Sequence, residues 1–215
     1  MLKKNTKPFA LSVVAYFLKM VSSLSKKIKR HTLFDGDDGL FKKIVRKESI
    51  YAEYGCGAST VWVAENIGCE VFSVDSSTKW IDKVKKSCEG FEKINLHYVD
   101  VGPVGSWGRP IGYQKSENFN DYTDWIWTNE RSPNVILVDG RFRVCCFLTC
   151  LIYAESGARI LFDDYTNRPN YHFVERYLKP IETCGRQALF VIPEKESLNI
   201  DGIVEDINKF RFVFD

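Results

Sequence analysis

The chain has 215 residues, 45% hydrophobic and 27% charged, the make-up of one globular domain around a single core rather than of a disordered or collagenous chain. No run of about 18 apolar residues exists to span a bilayer. The formal charge of +2 hides an asymmetry: residues 1–34 hold eight of the 30 Lys and Arg and no acid, leaving 22 basic against 28 acidic residues elsewhere. A mildly acidic body gives no reason to expect a nucleic acid partner.

The basic segment MLKKNTKPFALSVVAYFLKMVSSLSKKIKR reads as a helix from about Phe9 to Lys29, with Lys26, Lys27, Lys29 and Arg30 at the end where the helix dipole favours cations. It lacks the small-residue cleavage site of a secretory signal. Two roles are open for residues 1–30: packing on the body, or peripheral contact with an anionic surface at the inner face of the membrane. The organisation expected is a basic N-terminal helical segment over 1–48 and one domain over 49–215, in the cytoplasm.

From residue 50 short apolar runs alternate with helical stretches, the mark of βαβ units and a parallel sheet. Strands are predicted at 49–55, 69–75, 94–100, 134–140, 158–164, 187–193 and 210–215. Helices are predicted at 59–67, 78–88, 119–129, 142–155, 170–179 and 199–208. The fold class is therefore α/β: a doubly wound, mostly parallel seven-stranded sheet with helices on both faces. Between Asp100 and Asn118 glycines and prolines break any period, which gives a long loop of the kind that often carries function. The seven cysteines form no C-x-x-C pair, and several lie inside apolar runs such as VCCFLTCLIY. They read as reduced core thiols.

Ligands of an open parallel sheet bind beyond the carboxyl ends of its strands, so the residues that close each strand matter most. Strand one closes with Glu53-Tyr54-Gly55-Cys56-Gly57-Ala58-Ser59-Thr60. Two glycines permit a tight turn and a close backbone approach, and Ser59 or Thr60 can cap the next helix. Strand two ends at Asp75, placed to accept both hydroxyls of a ribose, and strand three at Asp100, placed to accept from an exocyclic amine. A nicotinamide enzyme would use similar parts, but its fingerprint is G-x-G-x-x-G and this chain has a threonine in the third position.

The E-x-G-x-G-x-S-T turn with the acids closing strands two and three resembles class I S-adenosylmethionine-dependent methyltransferases, over residues 49–164. The resemblance implies a Rossmann-like domain that binds S-adenosyl-L-methionine. Gly55 and Gly57 would lie against its methionine part, Asp75 at the ribose and Asp100 at the adenine, with Ser76 and Val101 also in the cofactor set. Glu53 matches the acid that opens the family's first motif, and Ser59 and Thr60 complete the cofactor set.

Strand four closes with Asp139-Gly140-Arg141-Phe142-Arg143 and strand five with Asp163-Asp164-Tyr165. Three carboxylates at neighbouring strand mouths repel unless something cationic lies between them: Arg141, Arg143, Arg168 or a divalent ion. The arrangement is similar to metal-dependent O-methyltransferases, which implies Asp139, Asp163 and Asp164 as ligands of Mg2+. The run DVGPVGSWGRP with VDGRFR and DDY also resembles bacterial methyltransferase-like proteins associated with surface-polysaccharide synthesis, implying a small-molecule acceptor such as a glycan or nucleotide sugar. Trp107 can stack on a sugar face or on the methyl sulfonium, while Arg109, Arg141 and Arg143 can fork to phosphate or carboxylate. Catalysis is expected from Asp139, Arg141 and Asp164, with His172 a further candidate base because RPNYHFVER follows the acidic cluster. Trp125 and Trp127 read as packing. The expected activity is O-methyl transfer. Its rivals are a nicotinamide oxidoreductase or aminopropyl transferase on the same fold, or a non-catalytic cofactor-binding scaffold docked on a membrane assembly.

Overall fold

A computed structural model of the chain describes residues 33–35 and 37–214. The predicted N-terminal helix and its membrane contact lie outside the described residues. Among those residues no helix is long and apolar enough to cross a membrane.

Seven strands form one sheet in the order β3-β2-β1-β4-β5-β7-β6. They are β1 (Ile50–Tyr54), β2 (Glu70–Asp75), β3 (Ile94–Tyr98), β4 (Val135–Val138), β5 (Arg159–Phe162), β6 (Glu182–Cys184) and β7 (Gln187–Val191). The first five run parallel; β7 is antiparallel to both β5 and β6. The central strands are buried on both faces, as helix-covered parallel strands must be. Their side chains alternate between two cores. Ala52, Tyr54, Ile136, Val138, Ile160 and Phe162 face one core with helix α5 (Arg143–Tyr153). Tyr51, Val71, Leu137, Leu161 and Leu189 face the other with helix α1 (Gly39–Ile44), whose Leu40 and Phe41 pack there beside Phe34. The remaining helices among the described residues are α2 (Ala58–Asn66), α3 (Thr78–Ser87), α4 (Phe119–Asp124) and α6 (Ile200–Phe210). Helix α5 buries nine residues, Arg143 to Leu151, so its apolar, cysteine-rich sequence covers the sheet. Six of the seven cysteines are buried.

Three expectations are corrected. The alternating run 210–215 forms no strand among its described residues. Helix α6 continues to Phe210, and the rings of Phe212 and Phe214 pack instead on Tyr113 and Phe119 of the long loop and α4. The seventh strand is β6, too short and polar to show a period, paired with β7 through a Gly185-Arg186 turn. The stretch 119–129 splits into α4 and a 3-10 turn over Trp125–Thr128, and the helix expected at 170–179 is a 3-10 helix over Pro169–Arg176.

Strand order reverses between β1 and β4, and there the turns that leave the two strands meet. Gly55 has φ +96°, and a Cβ on it would stand 2.6 Å from Gly140 Cα. A Cβ on Gly140 would stand 2.7 Å from Gly55 N and strike the Tyr122 hydroxyl. Two backbones touch with no side chain between them, which only glycine allows. Gly140→Ala should therefore cost about 2–3 kcal/mol by overpacking, seen as a lower urea midpoint at unchanged slope. An unchanged midpoint would show that the contact is loose.

Candidate active site

The β1 turn, the end of β2 and the mouths of β4 and β5 open on one cavity of about 1130 Å³. Beneath the β1 turn Glu53 is fully buried and accepts hydrogen bonds from the hydroxyls of Tyr51 (2.7 Å), Ser59 (2.7 Å), Ser73 (2.9 Å) and Thr60. Burial raises its pKa against the pull of these four donors. The hydroxyl of Thr60 also accepts from Gly57 N at 2.9 Å. Glu53, Ser59 and Thr60 thus brace the turn from beneath, and their polar ends point at one another rather than outward. Gly57 differs from Gly55: its backbone is extended, and a Cβ there would meet nothing within 4 Å. The fold leaves space beside it, which is what a ligand lying on the turn needs.

Asp75 is buried where β2 closes. It accepts from Cys56 N (3.0 Å) with one oxygen and from Ser77 N (2.7 Å) with the other. Burial lifts its pKa to about 6, while the two N–H donors and Arg141 hold it down. Each oxygen keeps a second lone pair for a ligand hydroxyl. The cavity fits the expected cofactor on these grounds: an open glycine turn beside a fixed, acceptor-only carboxylate. Ser76 lines the cavity and its hydroxyl donates to Gly108 O at 2.7 Å. Asp100 does not line the cavity; its exposed carboxylate accepts from Gly102 N at 3.0 Å, an Asx turn at the start of the long loop. Val101 is fully buried in the core.

Asp139, Asp163 and Asp164 do come together, and what lies between them is arginine. Arg143, only 4% exposed, reaches Asp139 Oδ1 (3.1 Å) and Asp164 Oδ2 (3.2 Å). It also donates to the carbonyls of Gly140, Asp163 and Asp139 at 3.0, 2.8 and 3.1 Å. Arg186 forks onto both oxygens of Asp163, at 3.1 and 2.7 Å, and lies 3.3 Å from Asp164 and beside Asp35. Arg168 takes Asp164 at 2.7 Å and donates to the Tyr171 hydroxyl at 3.1 Å. The expectation of Mg2+ at this cluster is corrected. Oxygens of all three carboxylates are engaged by guanidinium groups, and a divalent ion would have to displace them; among the described residues no His, Cys, Asp and Glu group is arranged to hold a metal. Arg143 is likewise no acceptor ligand, because its donors are spent inside the protein.

Asp139 remains 28% exposed and opens on the cavity. Burial raises its pKa to about 8; Arg143 opposes the rise, and a hydrogen bond with Asp163 adds to it. Arg141 lines the cavity and donates its backbone N–H to the Tyr122 hydroxyl at 3.0 Å. His172 stands outside the cavity, its Nε2 3.0 Å from the Tyr165 carbonyl and its ring against the Tyr165 ring. The indole N–H of Trp127 donates to the Tyr54 hydroxyl at 3.0 Å, and Trp125 stacks on His97, so both are packing residues.

Sequence reasoning missed Arg186, Tyr122 and Trp80, which all line the cavity. Arg186 precedes β7, whose Ala188 pairs with Phe162 at the end of β5. A residue just before an antiparallel strand lies at its neighbour's carboxyl end, so the signal existed only for a reader who knew that β7 runs backwards.

No model of a known protein family matches the chain, and no curated protein does. Among solved structures, a methyltransferase-like protein of Silicibacter pomeroyi is 34% identical, with a TM-score of 0.66 over 77% of this chain and 88% of its own. The N-methyltransferase NodS of Bradyrhizobium japonicum, in complex with S-adenosylhomocysteine, is 15% identical over 68% and 79%, with a TM-score of 0.45. An O-methyltransferase of Bacillus cereus, also with S-adenosylhomocysteine, is 14% identical over 72% and 78%, with a TM-score of 0.47. The identity to the first of these across most of both chains, on a sheet of order β3-β2-β1-β4-β5-β7-β6, shows that the chain belongs to the class I S-adenosylmethionine-dependent methyltransferases.

Proposed function

We propose that this methyltransferase acts on a hydroxyl oxygen of a small polar acceptor, of the size of a sugar or nucleotide sugar, and that Asp139 takes the hydroxyl proton. The observation that carries the reading is the Gly55–Gly140 contact. It brings the turn that receives the cofactor against the turn that carries Asp139, so donor and base share one cavity. The cofactor, when bound, supplies a methyl group on a positively charged sulfur, already activated for displacement. The chain's part is then alignment and proton removal. Asp75 and the Gly55–Gly57 turn fix one end of the cavity. Arg143 holds the Asp139 carboxylate in place from behind, and Asp163 can share the proton that Asp139 accepts.

Calorimetric titration with S-adenosylhomocysteine and with NAD tests the cofactor half. Asp75→Ala should weaken the thioether by roughly 10- to 100-fold through loss of charge-assisted hydrogen bonds. Binding of NAD without S-adenosylhomocysteine would sink the assignment. For the acceptor half, labelled S-adenosylmethionine is offered with sugars, nucleotide sugars, carboxylic acids and amines. An alkali-stable methyl ether supports the reading, whereas an alkali-labile ester or a methylated amine overturns it.

A further inference from the structure

We propose that the acceptor carries an oxyanion, a phosphate or a carboxylate, beside the hydroxyl that is methylated, and that Arg168 with Asn167 receives it at the mouth of β5. The proposal rests on the reading of this cavity as the site of a small polar acceptor.

The chain leaves β5 through a turn over 163–167, in which Asp164 takes a left-handed backbone with φ 57°, a conformation that aspartate adopts more readily than most residues. The turn is tied to the hairpin between β6 and β7: Thr166 N donates to Arg186 O at 3.3 Å, and the Thr166 hydroxyl to Gly185 O at 2.9 Å. Arg168 and Arg186 are thereby brought to one carboxylate from two directions. Arg168 stands 2.7 Å from Asp164 Oδ2 and Arg186 3.3 Å from Oδ1, although the buried Arg143 already serves Oδ2 at 3.2 Å. Three guanidiniums thus converge on Asp164, and the acids around them do not balance the charge. Asp163 is one counter-charge and Asp164 the other. Asp35 is 84% exposed, so water screens it, and burial raises the pKa of Asp139 to about 8, which leaves that group mostly protonated at neutral pH. One positive charge is left over inside the cavity.

That charge is accessible at Arg168. Arg143 spends its donors on the protein, and Arg186 is engaged by Asp163, Asp164 and Asp35. Arg168 lines the cavity and is 45% exposed. Its contacts with Asp164 and with the Tyr171 hydroxyl at 3.1 Å leave the rest of its five N–H donors without an acceptor among the described residues. The same two contacts, with the Tyr171 ring centroid 5.8 Å from its guanidinium carbon, hold the group in place. Asn167 beside it also lines the cavity and is exposed. A fixed guanidinium next to an amide matches the oxygens of a phosphate or carboxylate. Arg109 does not line the cavity and donates to Phe214 O at 3.2 Å, so it takes no part. Arg143 joins Asp164 to Asp139, and an acceptor seated on Arg168 therefore lies next to the proposed base.

The test titrates the full chain, saturated with S-adenosylhomocysteine, with pyrophosphate and with acetate at pH 7 and constant ionic strength, read by calorimetry. Arg168→Gln should weaken the bound anion about tenfold or more, the loss expected of charge-assisted hydrogen bonds, while the affinity for S-adenosylhomocysteine stays parental. Asn167→Asp puts a further carboxylate at the site from an exposed turn position and should weaken the anion at least as much, which keeps the test open should Arg168→Gln disturb the arginine network. Arg131→Gln removes an exposed cation paired with Glu70 at the opposite edge of the sheet and should bind as the parent does. Arg168-dependent binding that favours pyrophosphate assigns a phosphorylated acceptor, and binding that favours acetate assigns a carboxylated one; both uphold the oxyanion. Four results overturn it: no saturable binding of either anion by the parent, parental affinity in both Arg168→Gln and Asn167→Asp, an equal loss in Arg131→Gln, or release of S-adenosylhomocysteine by pyrophosphate. In those cases a methyl ether formed on a neutral sugar keeps the hydroxyl reading without its anion. An ester or amine product alongside Arg168-dependent binding defeats the hydroxyl reading and keeps the anion site.

Discussion

Asp139→Asn should slow methyl transfer by about 10²- to 10⁴-fold, the range that a positioned general base contributes, while the affinity for S-adenosylhomocysteine stays within about twofold because Asp75 and the glycine turn are untouched. The amide keeps the shape of the carboxylate and can still accept from Arg143, but it cannot take a proton. The pH dependence follows from the same group. The base works deprotonated, and burial has raised its pKa to about 8, so the parent's rate should climb by about tenfold per pH unit well below that value and level off above it. A carboxylate of ordinary pKa would give a flat profile across the neutral range. Steady-state rates across this range, on whichever acceptor the screen returns, check both statements. A flat profile, or an Asp139→Asn variant that turns over at the parental rate, would return Asp139 to a purely structural place in the arginine network.

Much of this site is legible in the sequence because chain-local patterns encode it. The Gly55-Cys56-Gly57 turn, Asp75 and Asp139 each stand directly after an apolar run of strand length, and a parallel sheet aligns such positions along one edge. What the sequence hides is which of them look outward. Glu53 carries the same charge as Asp75 and belongs to the same motif, yet it points beneath the turn because residue alternation in β1 sends it to the opposite face from Tyr54. Asp100 ends strand three as Asp75 ends strand two, but β3 lies at the sheet margin and its acid closes on its own backbone at Gly102. The choice between a metal and arginine was undecidable from Asp139, Asp163 and Asp164 alone. It turned on Arg186, which a two-residue hairpin delivers from more than 20 positions downstream. The misread strand at 210–215 has the same origin: alternating aromatics describe a half-buried segment, and a loop packed on Tyr113 and Phe119 satisfies that as well as a sheet edge does.

Arg143→Met should be the most destabilising single change in the site, by about 3–5 kcal/mol, the usual cost of removing one partner from a buried charge network. Methionine fills much of the volume but offers no donor. Three carbonyls, those of Asp139, Gly140 and Asp163, lose their hydrogen bonds at once, and Asp139 and Asp164 each lose a guanidinium. Arg143→Lys should recover only a part, since one ammonium cannot reproduce a planar fork that serves five acceptors. The loss should depend on pH, and its sign is fixed by linkage. Arg143 holds the pKa values of Asp139 and Asp163 down, so without it the folded-state values rise further above the unfolded ones. A folded state that binds protons more tightly than the unfolded chain loses stability as pH rises between the two values. The deficit of Arg143→Met should accordingly be smaller near pH 7, where Asp139 is still largely protonated in parent and variant alike, and larger near pH 9, where the parent's Asp139 has given up its proton more fully than the variant's. Urea midpoints of parent and variant at those two values measure it. A deficit that is equal at both would mean that Arg143 acts through its carbonyl bonds alone and does not set the charge of the carboxylates around the acceptor.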